Sequence, residues 1–291
     1  MSDRAPSAGG GNGPDQPGGW QSQPSVTRRE LAADLRRLGV DPGATVLVHS
    51  SLSRLGNVDG GAEAVVGALL DSVGPTGTVL FPTLTGSERD GPNHPPVMDV
   101  GLTPCWTGRI PETARHWPGA TRSLHPTHSV AAIGGDGRYA RGHETGWTPC
   151  DQHSPYYRLI SEAGCILLLG GVTQESNTTL HCLEELAEVP YHLQPTPTDG
   201  VVVDAAGDRH VVRNRLHLWR WERAFHKIDG PLASVGALRV GPVGQGRACL
   251  VGARQLADTI LPLLRDDPLY LLSDQARQAF RAATDQSGDR T

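Results

Sequence analysis

The chain has 291 residues, enough to bury a substantial core in one large domain or two smaller ones. Its net charge of -5, without arginine-rich stripes interleaved with aromatics, argues against nucleic acid as a partner and is compatible with a cationic small molecule. Five scattered cysteines (Cys105, Cys150, Cys165, Cys182 and Cys249) form no C-x-x-C pair, so neither the usual zinc and redox motifs nor structural disulfides are expected.

Residues 1–24 are mostly Gly, Pro, Ser and Gln, too poor in aliphatic side chains to offset the entropy of ordering, and predict a disordered tail. They contain no leader-like apolar run, and no window nears the roughly 18 apolar residues of a membrane span, so a cytoplasmic protein away from membranes is expected. A single domain is expected over 25–270. Thr27-x-x-Glu30 reads as a capping box opening a helix that shares Leu31, Leu35 and Leu38 on one face, and Gly39 followed by Asp41-Pro42-Gly43 stops it. Thr45 to His49 is an apolar run suited to a buried strand, Ser50 to Gly61 a polar loop, and Ala62 to Val73 a second helix. The unit repeats loosely, with a strand at Thr78 to Phe81, a long Gly/Pro-rich loop and a short helix near Ile110 to His116. Ser129 to Ile133 and Cys165 to Leu169 add two strands, the second running into Gly170-Gly171. Such alternation predicts an α/β fold, a central sheet flanked by helices on both faces. Gly200 to Val212 and Ala237 to Val251 read as hairpins, turning at Asp204–Asp208 and Gly244-Gln-Gly246, and predict a β-containing subdomain over about 195–252. Between them Arg213 to Lys227 is rich in Trp, His and Arg; Gln255 to Leu264 predicts a closing helix, and 271–291 a C-terminal helix and tail.

Three segments carry groups suited to chemistry. In Gly170 to Glu188 a strand end passes through a polar loop into a helix, the kind of junction where sites form. Ser176 or Asn177 can cap that helix, placing His181 near its first turn and Glu185 one turn later on the same face. A helix N-terminus disfavours the imidazolium, keeping such a His available as a base. On spacing alone an incidental pair on a partly exposed helix is the better fit. A metal shared by His181, Glu185 and the His125-Pro-Thr-His128 stretch is the other reading, which the extended backbone imposed by Pro126 disfavours. Arg122 could hold a phosphate, and His49 to Gly56 offers hydroxyls and backbone N–H groups to a pantetheine or phosphate without being a Walker or G-x-G-x-x-G loop. No G-x-S-x-G occurs, and Cys182 points about 100° away from His181 around the helix.

Taken together, Val48-His-Ser-Ser-Leu52, Phe81-Pro-Thr83, Ile110-Pro-Glu-Thr113, Arg122-Ser-x-His-Pro-Thr-His-Ser-Val130, Leu168-Leu-Gly170 and Ser176-Asn-Thr-x-x-His-x-x-Glu-Glu185, in this order, resemble the aminoglycoside 3-N-acetyltransferase family. The resemblance spans about residues 26–266. It implies the α/β fold particular to antibiotic N-acetyltransferases, not the GCN5-related one, and metal-free transfer of acetyl from acetyl-coenzyme A to the 3-amine of the deoxystreptamine ring of aminoglycoside antibiotics, by a monomer or homodimer. By matching position it implies His181 as base, Glu185 as its orienter and Thr178 near the thioester. The coenzyme would lie along His49, Ser50, Ser51, Leu52, Arg122, Ser129 and Val130. Glu184, Glu188, Asp151 and Asp99, with Thr83, are the candidates for holding the polycationic sugar. Cys150, Gln152 and His153 depart from the family's usual pattern, and acetylation of a non-aminoglycoside amine shares every one of these catalytic groups.

Overall fold

The structure, a computed structural model, describes residues 24–288. The expected tail therefore falls outside the described residues except for Pro24, whose carbonyl accepts a hydrogen bond from the Gln245 side chain. In chain order the elements are α1 (Arg28–Leu38), β1 (Thr45–Ser50), α2 (Gly61–Val73), β2 (Thr78–Pro82), β3 (Val97–Asp99), α3 (Arg109–Arg115), β4 (Thr121–Arg122), β5 (Val130–Gly134), α4 (Pro155–Ser161), β6 (Cys165–Leu169), α5 (Thr179–Leu186), β7 (Thr198–Val203), β8 (Arg209–Asn214), α6 (Asp229–Ser234), β9 (Leu238–Val243), β10 (Gly246–Gly252), α7 (Ala253–Asp266) and α8 (Asp274–Gly288). The capping box is formed as read: Thr27 accepts the Glu30 N–H, Glu30 accepts the Thr27 N–H, and Gly39 ends α1 in the left-handed region at φ 109°.

Seven strands form the central sheet in the order β4-β5-β2-β1-β6-β10-β9, with β1 parallel to both β2 and β6 and every other pairing antiparallel. Alternating side chains divide between two cores. Val46 and Val48 of β1 and Leu167 and Leu169 of β6 pack on the side of α1, α2 and α3; Leu47, Ile166 and Leu168 pack on the side of α4 to α8. Both faces are thus covered, and each fully buried aliphatic side chain contributes on the order of 1.5–3 kcal/mol of transfer free energy. No helix among the described residues is long and apolar enough to cross a membrane.

The two C-terminal hairpins, expected together as one subdomain, enter different sheets. β10 is apolar on both sides, with Ala248 and Leu250 in one core and Val251 in the other, so it is inserted beside β6 and β9 closes the sheet edge. β7 and β8 bury alternate residues only, leaving Asp199 and Val211 to solvent, and they join β3 in a separate three-stranded sheet.

The carboxyl ends of β1, β2 and β6 lie side by side, the position at which open α/β sheets form crevices. Gly170 and Gly171 turn the chain out of β6 there, both with positive φ (75° and 65°). A Cβ on Gly170 would sit 2.4 Å from the Ser51 carbonyl oxygen, so only glycine lets the two strand ends approach so closely.

Candidate active site

After that turn the Asn177 side chain accepts the N–H of Thr179 at 3.2 Å, so of the two expected caps Asn177 serves and Ser176 lies in the preceding 3-10 turn. His181 therefore stands in the first turn of α5, where its ring, 12% exposed, forms one wall of a cavity of about 290 Å³. His49 and Ser50 from the end of β1, Thr178, Glu175, Trp106 and Trp219 complete the parts of that wall that bear on chemistry. His49 Nε2 accepts the Thr178 N–H at 3.3 Å, tying the strand end to the helix start, and burial and the neighbouring His181 push its imidazole down to about 3.

The carboxylate that meets His181 is Glu184, where Glu185 was expected. His181 Nδ1 lies 2.7 Å from Glu184 Oε2. Residues three and four positions along a helix both neighbour a given side chain, and here tertiary partners choose between them. Arg223 Nε is 3.2 Å from Glu184 Oε1 and His192 Nδ1 is 3.2 Å from Oε2. Glu184 is completely buried; burial pushes its carboxyl up, but His192, Arg223 and His181 outweigh this and hold it well below the ordinary carboxylate range. An ionised carboxylate only accepts, so His181 donates from Nδ1, and the lone pair of the neutral ring falls on Nε2. The ring is packed between His192 at 5.1 Å, Phe225 at 5.3 Å and Trp219 at 5.8 Å. Glu184, also expected to help hold the drug, is buried among these partners and is not part of the wall of the His181 cavity.

Glu185 turns to a different set of partners: His217 Nε2 at 2.7 Å, the Thr148 hydroxyl and the Cys150 N–H. Burial pushes its carboxyl up to about 8, against the lowering effect of the Thr148 and Cys150 hydrogen bonds. An unfolded glutamate ionises near pH 4.3, so the stability this raised value supplies is complete below that pH and is lost as pH climbs toward 8, at roughly 1.4 kcal/mol per pH unit. Thermal denaturation between pH 5 and 8 should show the decline in the wild type and a flatter profile in Glu185→Gln; equal slopes would mean that Glu185 is already ionised at pH 5.

Other expected residues go elsewhere. The Arg122 guanidinium, expected to meet phosphate, is consumed by the Thr83 hydroxyl and carbonyl, the Ser129 hydroxyl and the carbonyls of Val100 and Thr103; burial pushes it down to about 10. Ser129 and Thr83 are fully buried and bonded to each other at 3.0 Å, and Val130 is a core residue of β5, so this group braces the sheet rather than lining the His181 cavity. Ser51, whose N–H reaches the Leu169 carbonyl, and Leu52 follow the cavity wall without forming it. Asp99 accepts the N–H groups of Gly101 and Leu102 and borders a separate cleft with Arg115 and Asp204. Asp151 caps Trp147, Thr148 and His153, and with Glu188 it lines another cleft, of about 730 Å³, which does not include His181.

Among the described residues the one carboxylate on the His181 cavity is Glu175, which accepts the N–H groups of Phe225 and His226 and leaves 43% of its side chain exposed. Its place between the β6 turn and His181 was the signal that could have singled it out. His192, His217, Trp219 and Arg223 had none beyond the unusual composition of their segment. The His125–His128 stretch forms a local turn, His125 Nδ1 accepting the N–H groups of Thr127 and His128. Among the described residues two groups bring potential metal ligands within 4.8 Å, His181 with His192 and His217, and Cys150 with Glu185 and His217. In both, a ring nitrogen already meets a carboxylate at 2.7 Å.

The sequence profile described as aminoglycoside 3-N-acetyltransferase matches residues 47–265. Aminoglycoside N(3)-acetyltransferase VII of Streptomyces paromomycinus is 33% identical over 266 residues, covering 82% of this chain and 91% of the relative. Among solved structures, AAC-VIa bound to sisomicin superposes with a TM-score of 0.72 at 27% identity, over 84% of this chain and 98% of that one. AAC-IIIb in a binary complex with CoASH gives 0.70 at 26% identity, over 84% and 97%.

Proposed function

Because the chain belongs to the aminoglycoside 3-N-acetyltransferase family, an acyltransferase family, we propose that it moves the acetyl group of acetyl-coenzyme A to the 3-amino group of the deoxystreptamine ring, with His181 as general base. The observation that carries the reading is the His181–Glu184 pair, 2.7 Å apart, on the wall of a cavity at the carboxyl end of the parallel strands. With Nδ1 committed to Glu184, Nε2 takes a proton from the substrate ammonium, directly or through water, and the freed amine attacks the thioester carbonyl. Thr178, at the start of α5 and on the cavity wall, would offer its hydroxyl to the oxyanion that forms, where each well-aimed donor contributes about 3 kcal/mol in comparable acyl-transfer sites. Collapse of the tetrahedral intermediate releases coenzyme A as a thiol; of the three protons on the starting ammonium, one stays on the amide nitrogen, one passes to sulfur and one, by way of His181, to solvent.

His49 and Ser50 would flank the thioester end of the coenzyme, with Ser51 and Leu52 continuing outward, and Glu175 is the carboxylate available to an ammonium group of the drug. Acetylation removes a positive charge from a polycation, which is how the reaction would confer resistance. That the described residues put a single carboxylate on the cavity favours one further reading, acetylation of a less cationic, non-aminoglycoside amine by the same groups.

Free-thiol release from acetyl-coenzyme A with a panel of deoxystreptamine aminoglycosides, followed by NMR of the product, tests the proposal. A single acetyl on the 3-amine is expected; coenzyme binding without turnover of any aminoglycoside would transfer the assignment to the other amine.

A further inference from the structure

A fully buried carboxylate stays ionised only beside a compensating charge. The groups that face Glu184 and His181 are His49 at the end of β1, His128 ahead of β5, Glu175 across the cavity, Glu185 on α5 itself, Tyr191 and His192 after α5, and His217 and Arg223 after β8. Burial pushes the His49, His128, His192 and His217 imidazoles down, to about 3 for His49 and His192, so these four are neutral at physiological pH, and His192, which holds the Glu184 carboxyl down only when it carries a proton, meets it there as a neutral ring. Burial pushes the Tyr191 phenol up, so it too is uncharged. Arg223 differs from all of them, because a guanidinium keeps its charge at every pH the enzyme meets.

Arg223 is also held more rigidly than an incidental ion-pair partner. Its Nη1 donates to the carbonyls of Trp221 at 2.7 Å and Leu218 at 3.3 Å, its Nη2 lies 2.8 Å from His192 Nδ1, and its guanidinium stands 5.2 Å over the Tyr191 ring. Only Nε is turned to the carboxylate, and the side chain is 9% exposed.

Resting on the assignment of His181 as base, we propose that Arg223 is a positioning residue for acetyl transfer: its fixed charge keeps Glu184 ionised and aimed at His181 Nδ1, so that His181 presents an unprotonated Nε2 to the substrate at neutral pH. Without that charge, the Glu184–His181 pair in its buried setting takes up a proton more readily. The base is then occupied at neutral pH and freed only at higher pH.

The expected result is an acid limb of the pH profile of kcat/KM that lies at least one pH unit higher in Arg223→Gln, with turnover below the limb falling about tenfold for each pH unit the limb moves and recovering in alkali. Arg223→Lys keeps the charge and should keep the limb where it is. An Arg223→Gln profile lowered equally at all pH values, with its limb unmoved, would overturn the proposal and leave Arg223 a structural brace. Should Arg223→Gln fail to fold, Glu184→Gln and the doubly neutral Glu184→Gln, Arg223→Met pair serve. The uncompensated arginine of the single variant should place the titration of the His181 ring, followed by 15N NMR in coenzyme-free protein, at least one pH unit below that of the double variant; coincident titrations would refute the coupling. The NMR readout separates this proposal from the one it rests on: a displaced ring titration with full turnover in His181→Ala would retain the coupling and remove the base.

Discussion

His181→Ala is expected to lower kcat for acetyl transfer by about 10²–10⁴-fold, the range a positioned general base contributes, while leaving coenzyme binding nearly unchanged. The substitution removes an imidazole from the wall of the cavity and disturbs no backbone hydrogen bond made by its side chain, so the groups at the end of β1 remain in place. Isothermal titration with coenzyme A, together with single-turnover kinetics, measures both halves of the expectation. Turnover at the wild-type rate would eliminate His181 as the base, and loss of coenzyme binding in parallel with turnover would make it a binding group instead.

Glu184→Gln should cost about 10³–10⁴-fold in kcat, as loss of an orienting carboxylate does in acyl-transfer dyads, because a glutamine amide can turn its N–H toward Nδ1 and so place the imidazole proton on Nε2, the wrong nitrogen. The comparison that gives this prediction its force is Glu185→Gln, next along the chain, which should stay within about tenfold of the wild type, since Glu185 bonds to His217, Thr148 and Cys150 and not to His181. Leaving Arg223 without its buried partner should also destabilise Glu184→Gln by about 3–5 kcal/mol, so the kinetics belong well below its melting temperature. If Glu185→Gln is the more damaged of the two, the orienting role returns to Glu185.

That pair of residues shows where reading the sequence stops. Helical geometry makes positions three and four beyond His181 equivalent neighbours, and the family pattern ends in Glu-Glu. The choice is made by Arg223, 39 residues further on, in a segment without regular periodicity. Arg122 is the converse case, a charge in a polar loop that reads as a phosphate ligand until the fold supplies enough oxygen acceptors to engage Nε, Nη1 and Nη2 alike. What was legible was local: the α1 capping box, the glycine that ends it, Cys165–Leu169 as a strand, and the two hairpins as hairpins. Which sheet each hairpin joins depends on whether it can bury one face or both. Val97–Asp99 and Thr121–Arg122 are too short to declare themselves, being strands only because a partner edge accepts them.

The insertion of β10 beside β6 sets the order in which the protein can be made. Residues 165–169 lead through the Gly170-Gly171 turn to α5, which carries His181, yet one edge of that strand is completed only by residues 248–252. During vectorial synthesis the nascent chain must therefore emerge as far as residue 252 before β6 is paired on both sides, and until then it presents an apolar strand edge open to pairing with other chains. Truncations ahead of residue 246 should consequently yield aggregates rather than weakened enzyme, which light scattering of the expressed fragments would show.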